Sequence, residues 1–475
     1  MLFPTPEYAF FFLIVFAAAW TVRRFASGHK ALLLCASYAF YAFWDWRFLP
    51  LLVGISLVGA VVGRRLQVEQ RPRARMAWLV SGLSLCLGAL GVFKYLGFAA
   101  ATVVGLLQAV GLHPGTASLP EIALPVGVSF FVFHAISLMV DAFQERIPVK
   151  VTLLDALLYV AFFPQLVAGP ILRASTFLPQ LARAPDPSAV DAARAMELFV
   201  IGLVKKVLLA SFLASRLVDP VFAAPSAHPG LESLLGVYGY AAQIYCDFSG
   251  YTDMAIGSAL LLGYRFPENF NAPYRAASPA DFWYRWHISL SSWLRDYLFM
   301  PLCADRPSKA RRLWALCLTM VLGGLWHGAA WTFVCWGLFH GVGLVVHRLW
   351  SGSRAAVVKR VRAWALWPWV ATILTFHFVC LGWVLFRAPS LDSALELLAA
   401  LFHPWTVGPW LSAATLIAIG LGVFGPLFPS RLRLGLRTRL AQLPLPVQGL
   451  ALALVVLAIE AAGPKGVSPF IYFQF

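Results

Sequence analysis

The chain has 475 residues, of which 60% are hydrophobic and only 12% charged, and its mean hydropathy is +0.76. Soluble domains carry charge on about a quarter of their residues, so this composition excludes an ordinary soluble enzyme and predicts an all-α, polytopic integral membrane protein. The net charge of +16 does not indicate nucleic acid, because the cations lie in short clusters between apolar runs and not along one face of a helix.

Weakly charged runs recur at 8–22, 31–44, 48–63, 77–92, 122–140, 153–172, 198–213, 231–243, 254–263, 313–346, 365–386, 411–428 and 447–458. A membrane span needs about 20 residues, so the shorter runs must borrow from their flanks, tilt or fail to cross; about 11 transmembrane helices are expected, with re-entrant and interfacial helices around a central cavity. Arg23, Arg24 and Lys30 follow the first run, Arg64, Arg65, Arg71, Arg73 and Arg75 follow the third, and later basic clusters fall at 306–312, 348–362 and 431–439. The positive-inside rule makes these cytoplasmic, the N-terminus external and the Lys- and Arg-free stretch 99–121 extracytoplasmic. The first run has neither a basic n-region nor a small-residue cleavage site, so it predicts a retained span.

Short stretches rich in Pro, Ala and Ser at 112–120, 184–191, 223–230, 304–310, 351–354 and 443–446 read as loops. No solenoid repeat or inverted transporter repeat is found. The seven cysteines lack paired spacing, which gives neither a zinc pattern nor a disulfide framework; Cys35, Cys86, Cys317, Cys335 and Cys380 read as small packing residues.

The segment 231–302 is different. It carries Asp247, Asp253, Arg265, Glu268, Asp281, Arg285, His287, Arg295 and Asp296, too many charges for a lipid-facing helix. Gly250, Gly257, Gly263, Pro267 and Pro273 punctuate it, which predicts buried helices and re-entrant elements lining a cavity. A helix over 281–298 is expected to lie partly at an interface, with Trp283, Trp286 and Trp293 as an aromatic belt.

Trp326-His327-Gly328 stands near the middle of the uncharged stretch 313–346. An ionisable group at bilayer depth is costly, so it faces a bundle interior or a water-filled cavity and is a functional candidate; the alternative is a neutral imidazole satisfied by a backbone carbonyl. With His287, a second imidazole, it suits proton transfer: a histidine can take a proton from a hydroxyl attacking an acyl carbon and return it to the leaving group, while a second polar group stabilises the carbonyl oxygen.

Asp247 and Asp253 either orient a histidine or join helices. Arg285 and Arg295 either hold a phosphate-bearing donor, which a guanidinium binds bidentately, or pair with Asp281 and Asp296. His340 and His377 read as packing histidines, and Gly323-Gly324 as a helix break that exposes N–H groups beside His327. A proton-coupled transporter or channel with midplane histidines is the competing reading; it would carry inverted repeats. A scaffold without chemistry is a third.

The segments LPVGVSFF (124–131), FPQLVAGPI (163–171), QIYCDFSGYTDM (243–254), FPENFN (266–271), FWYRWHISLS (282–291), WLRDY (293–297), GLWHGA (324–329) and GWVLFR (382–387) follow one another in order. Together they resemble the membrane-bound O-acyltransferase superfamily, in its bacterial alginate O-acetylase branch. The chain departs from the pattern after Pro301, where relatives tend to have a Gly-rich turn and Leu302-Cys303-Ala304-Asp305-Arg306 stands here. The resemblance implies that His327 is similar to the superfamily's central catalytic histidine, and that His287 falls where other members carry Asn, Asp or His as the second active-site residue.

It further implies a multi-pass protein of the bacterial inner membrane that serves polysaccharide O-acetylation such as alginate biosynthesis. The acyl donor would be cytoplasmic acetyl-CoA, with no bound cofactor and no metal. The expected partners are a periplasmic SGNH-type acetyltransferase, a polysaccharide acceptor and the lipid bilayer. The whole of 1–475 then reads as one integral domain, with peripheral helices over 1–120, a catalytic core over 121–390 and C-terminal helices over 391–475, and no soluble catalytic domain attached.

Overall fold

The computed structural model describes residues 3–112, 122–167, 169–305, 307–427, 435, 437–439, 442–462 and 471. Ala168 and Arg306 of the sequence motifs, the 113–121 part of the expected external stretch and the 431–434 part of the last basic cluster lie outside the described residues. All regular structure among the described residues is helical. The chain divides into two compact units, Met1–Val190 with Ser258–Phe266, and Asp191–Gly257 with Pro267–Phe475.

The first unit is built from α1 (Pro6–Val22), α2 (Ala26–Asp45), α3 (Leu49–Val68), α4 (Pro72–Leu90), α5 (Leu96–Ala109), α6 (Val128–Phe143), α7 (Leu153–Ala161), α8 (Phe163–Leu166) and α9 (Ala174–Leu181). Local signals start these helices. Thr5 accepts the Tyr8 N–H at the start of α1, and Thr152 with Asp155 forms a reciprocal capping box on α7, each satisfying N–H groups that the first helical turn leaves open. Nearly every residue of α6 is buried, His134, Ser137 and Asp141 included, as expected of a helix surrounded by other helices. It can sit so deep because a Cβ built on Gly59 of α3 would lie 3.2 Å from that of Ala135. Lys30 of α2 and Asp155 of α7 pair at 2.5 Å.

The second unit begins with α10 (Ala192–Leu203), which continues through a π-helical segment, Val204–Ala210, into α11 (Ser211–Leu213) and α12 (Asp219–Ala223). There follow α13 (Gly230–Leu261), α14 (Pro279–Arg285), α15 (Ile288–Leu294), α16 (Met300–Cys303), α17 (Lys309–His327), α18 (Trp331–Gly352), α19 (Ala356–Ala363), α20 (Trp367–Arg387), α21 (Leu391–Ala400), α22 (Ala413–Phe424) and α23 (Leu445–Ala462). Helices α10 and α13 cross with their backbones touching: a Cβ on Gly202 would stand 2.6 Å from the Gly250 carbonyl oxygen, and the reverse approach is 2.7 Å. The π segment just after this crossing presents two lysines. Lys205 pairs with Asp253 at 2.7 Å, and the fully buried Lys206 pairs with Asp247, whose other oxygen accepts the Ile471 N–H at 2.9 Å. Both aspartates therefore join elements of the fold.

Five helical stretches among the described residues are long and apolar enough to cross a membrane: Ala26–Val68, Pro72–Ala109, Ala192–Ala223, Trp331–Gly352 and Trp367–Arg387. The first three contain 3-10 or π turns, and at 43 residues Ala26–Val68 takes in two of the runs seen in the sequence. Four shorter apolar helices accompany them. The count of about 11 is thus not reproduced; length and composition support five, because several apolar runs are too short or merge into one bent helix.

Two local expectations need correction. The segment 281–298 is not one helix: it breaks after α14, at Trp286 and His287, where His287 adopts a left-handed conformation with φ of 42°. Helix α17 likewise runs unbroken through Gly323 and Gly324 and ends at His327, so those glycines do not open the helix.

Candidate active site

The placement of His327 follows from small residues. A Cβ on Gly324 would come within 2.2 Å of the Phe333 carbonyl oxygen, and one on Gly337 within 2.4 Å of that of Met320. Glycine at both positions lets α17 and α18 pack backbone to backbone, joined by a turn at 328–330. His327, the last residue of α17 and 5% exposed, is held among rings: Trp326 at 4.9 Å, Trp336 of α18 at 5.2 Å and Phe386 of α20 at 5.2 Å between centroids.

His287 is placed by hydrogen bonds from a second segment. The Asn269 carbonyl oxygen accepts the Ile288 N–H at 2.9 Å, and the Asn271 N–H donates to the Arg285 carbonyl at 2.9 Å. These bonds compete with continuation of α14 and turn the chain at His287. The Asn269 side chain completes the clamp: its Oδ1 accepts the Ser289 N–H at 3.0 Å and stands 3.2 Å from Nδ1 of His287. The His287 ring is fully buried, edge-on to Phe248 at 4.6 Å. Its Nε2 has no hydrogen-bond partner among the described residues.

Trp326 connects the two histidines. Its ring centroid lies 6.1 Å from His287 and 4.9 Å from His327, so the imidazoles are at most the sum of those separations apart. Two buried rings that can each carry a proton are thereby gathered in one aromatic cluster, an arrangement suited to proton transfer in acyl chemistry.

The other candidates are placed as follows. Arg285 reaches Asp281 at 2.8 Å and Arg295 reaches Asp296 at 2.6 Å. Trp286 and Trp293 are buried in the protein and do not form an outward belt, because Trp286 packs on Phe282 and Trp383, and Trp293 stacks on Tyr297. His340 is fully buried within Trp283, Trp336, Phe339 and Phe378. His377 donates from Nδ1 to the Ile373 carbonyl at 2.8 Å, so its Nε2 accepts the Tyr238 hydroxyl at 2.7 Å. A cavity of about 590 Å³ is lined by Arg360, Val361, Ala363, Trp364 and Trp367, none of which belongs to the rings around the histidines. Sequence reasoning did not single out Asn269, Trp336 or Phe386, although Asn269 and Phe386 lie inside motifs it had marked, FPENFN and GWVLFR.

Residues 130–386 match the model of MBOAT, the membrane-bound O-acyltransferase family, and both histidines lie within the match. The chain belongs to that family. As an O-acyltransferase it is 39% identical to a probable alginate O-acetylase, AlgI, of Pseudomonas aeruginosa, over 89% of this chain and 79% of that protein. It is 35% identical to a peptidoglycan O-acetyltransferase of Helicobacter pylori over 84% of this chain and 79% of the relative. A teichoic acid D-alanyltransferase of Bacillus subtilis is more distant, 30% identical over 55% and 68%. Family membership and the apolar helices together make the protein a multi-pass membrane O-acyltransferase and disfavour the transporter reading.

Proposed function

We propose that this O-acyltransferase moves acetyl groups from a cytoplasmic donor, acetyl-CoA, towards an extracytoplasmic polysaccharide, handing them to a periplasmic SGNH-type acetyltransferase from the bacterial inner membrane. The observation that carries this reading is the gathering of His287 and His327 around Trp326 in a buried aromatic cluster. The names of the relatives, which include alginate and peptidoglycan O-acetylating proteins, support acetyl as the group and a glycan as the destination.

In the reaction, a hydroxyl oxygen attacks the thioester carbonyl carbon. The new C–O bond forms, the C–S bond breaks, and the hydroxyl proton passes through a histidine to the departing sulfur, which leaves as a thiol. His327 is the general base, or transiently carries the acyl group itself; His287 is its polar partner. Water excluded by the surrounding rings would otherwise hydrolyse the thioester. Arg285 and Arg295 are the residues proposed to meet the phosphates of the donor, and to do so each guanidinium must share its carboxylate partner.

The test is transfer of labelled acetyl from acetyl-CoA by the full chain in proteoliposomes, with the soluble partner and oligomannuronate, cello-oligosaccharide or peptidoglycan fragments as acceptors. His327→Ala is expected to abolish transfer. Unchanged transfer by that variant would remove His327 from the chemistry, and solute flux without transfer by the wild type would overturn the reading.

A further inference from the structure

We infer that Asn269 is a positioning residue that fixes the tautomer of His287, so that Nε2 of His287 acts as a hydrogen-bond acceptor in support of the base His327 and not as a donor to the thioester carbonyl. This rests on the acyl-transfer reading above.

A backbone N–H can only donate, so the Asn269 atom 3.0 Å from the Ser289 nitrogen must be the amide oxygen. The orientation of an Asn amide is ordinarily assigned from its network; here a donor of unambiguous identity assigns it. An amide oxygen can only accept and has two lone pairs. The nitrogen of His287 that faces the same oxygen at 3.2 Å, Nδ1, therefore carries the hydrogen. The Ser289 hydroxyl oxygen stands 3.5 Å from the same Nδ1. In a neutral imidazole with hydrogen on Nδ1, Nε2 bears the lone pair.

Burial raises the stakes of that assignment. The His287 ring is fully buried and Asn269 is 1% exposed, and neither Nε2 of His287 nor Nδ2 of Asn269 has a partner among the described residues. Leaving a buried polar atom unsatisfied is costly. The pair thus presents one open acceptor and one open donor.

The clamp is redundant in a way that isolates this role. The main chain of Asn269 already bonds Ile288, so the turn at His287 does not depend on the Asn269 side chain alone. What the side chain adds is one acceptor oxygen shared by the Ser289 N–H and Nδ1 of His287. Second-sphere acceptors of this kind set which ring nitrogen is protonated.

Three forms of the full chain in proteoliposomes test the inference, with acetyl-CoA consumption followed as thiol release and oligomannuronate as the acceptor probe. Asn269→Leu removes the acceptor; it is expected to lower kcat about tenfold to a hundredfold, a share of the effect of a general base, while the KM for acetyl-CoA stays within about twofold. Asn269→Asp keeps an acceptor and should rescue most of kcat. Because its carboxylate favours the imidazolium, the acid limb of the pH profile, where a protonated His287 can no longer accept, should move to higher pH.

The tautomer itself is read from ¹⁵N-histidine spectra, with the His287 signals assigned as those lost in His287→Ala. A lone-pair Nε2 in the wild type and mixed tautomers in Asn269→Leu are expected. Hydrogen on Nε2 in the wild type overturns the inference whatever the activities. Wild-type kcat, pH limb and spectrum in Asn269→Leu, with His287→Ala and His327→Ala inactive, overturns it while leaving the acyl-transfer reading standing. Full activity of both histidine variants would instead overturn that reading.

Discussion

Trp336 meets His327 edge-on, with ring centroids 5.2 Å apart and planes at 86°. The same indole is 4.8 Å from His340 and 5.2 Å from Phe386, and it is 1% exposed. It is the ring through which the helix carrying His327 is keyed to α18 and α20.

Truncating this ring should separate stability from turnover. Trp336→Ala is expected to cost about 3–5 kcal/mol, the range for emptying a buried aromatic site, and to lower the melting temperature in detergent. Trp336→Phe keeps an aromatic edge near His327 and should melt close to wild type but turn over at least about tenfold more slowly, because small displacements of a catalytic group are costly. Wild-type turnover by Trp336→Phe would show that Trp336 acts through packing alone.

Gly382 should be intolerant of a methyl group. A Cβ there would lie 2.7 Å from Nε2 of His340, and His340 has no room to retreat among Trp283, Trp336, Phe339 and Phe378. Gly382→Ala is expected to destabilise by about 1–3 kcal/mol through overpacking. Gly420, inside α22, has nothing within 4 Å of its would-be Cβ. Gly420→Ala should therefore be neutral or stabilise by up to about 1 kcal/mol, and thermal melting of the two variants compares them directly.

The buried pair Lys206–Asp247 should be more damaging to halve than to remove. Lys206→Met leaves a carboxylate buried without its cation, and Asp247→Leu leaves the ammonium and also the Ile471 N–H; each is expected to cost about 3–5 kcal/mol. The double variant should be milder than the sum. A double-mutant cycle on denaturation midpoints measures the difference, and strict additivity would show that the two charges do not stabilise each other.

Glu232 is fully buried and uses both carboxylate oxygens, one 2.8 Å from Nδ1 of His228 and the other accepting the Trp410 N–H at 2.8 Å. Glu232→Leu removes both acceptor oxygens, leaving the Trp410 N–H and Nδ1 of His228 without them. Faster hydrogen exchange across 401–412, measured by mass spectrometry, is the expected outcome. Unchanged exchange would mean that the loop is held by its backbone bonds, such as the Gly230 N–H to the Pro404 carbonyl.

Both histidines of the candidate site were legible in the sequence. His327 stood out because an imidazole in an uncharged run needs a reason, and His287 because it accompanied too many charges for lipid. Asn269 did not stand out, since an Asn between Glu268 and Phe270 has no periodicity to mark it and its partners are His287 and Ser289, far along the chain. The single helix expected over 281–298 failed for the same reason: its apolar spacing is helical, but the Asn269 carbonyl takes the Ile288 N–H and diverts the backbone. At Gly323 and Gly324 the residue type was read correctly as special and its use incorrectly, because glycine serves a close helix crossing as readily as a break.

What the amino-acid order decided alone was the solvent of the fold, the helical class and the family, because hydropathy sums over consecutive residues and motif strings are local. What only the tertiary structure decided was which lone pair faces the cluster, which lysine neutralises which aspartate, and which rings surround each histidine. Those depend on hydrogen bonds and ring contacts of a few ångströms between segments tens of residues apart, and no pattern along one stretch of chain encodes the partner that lies across from it.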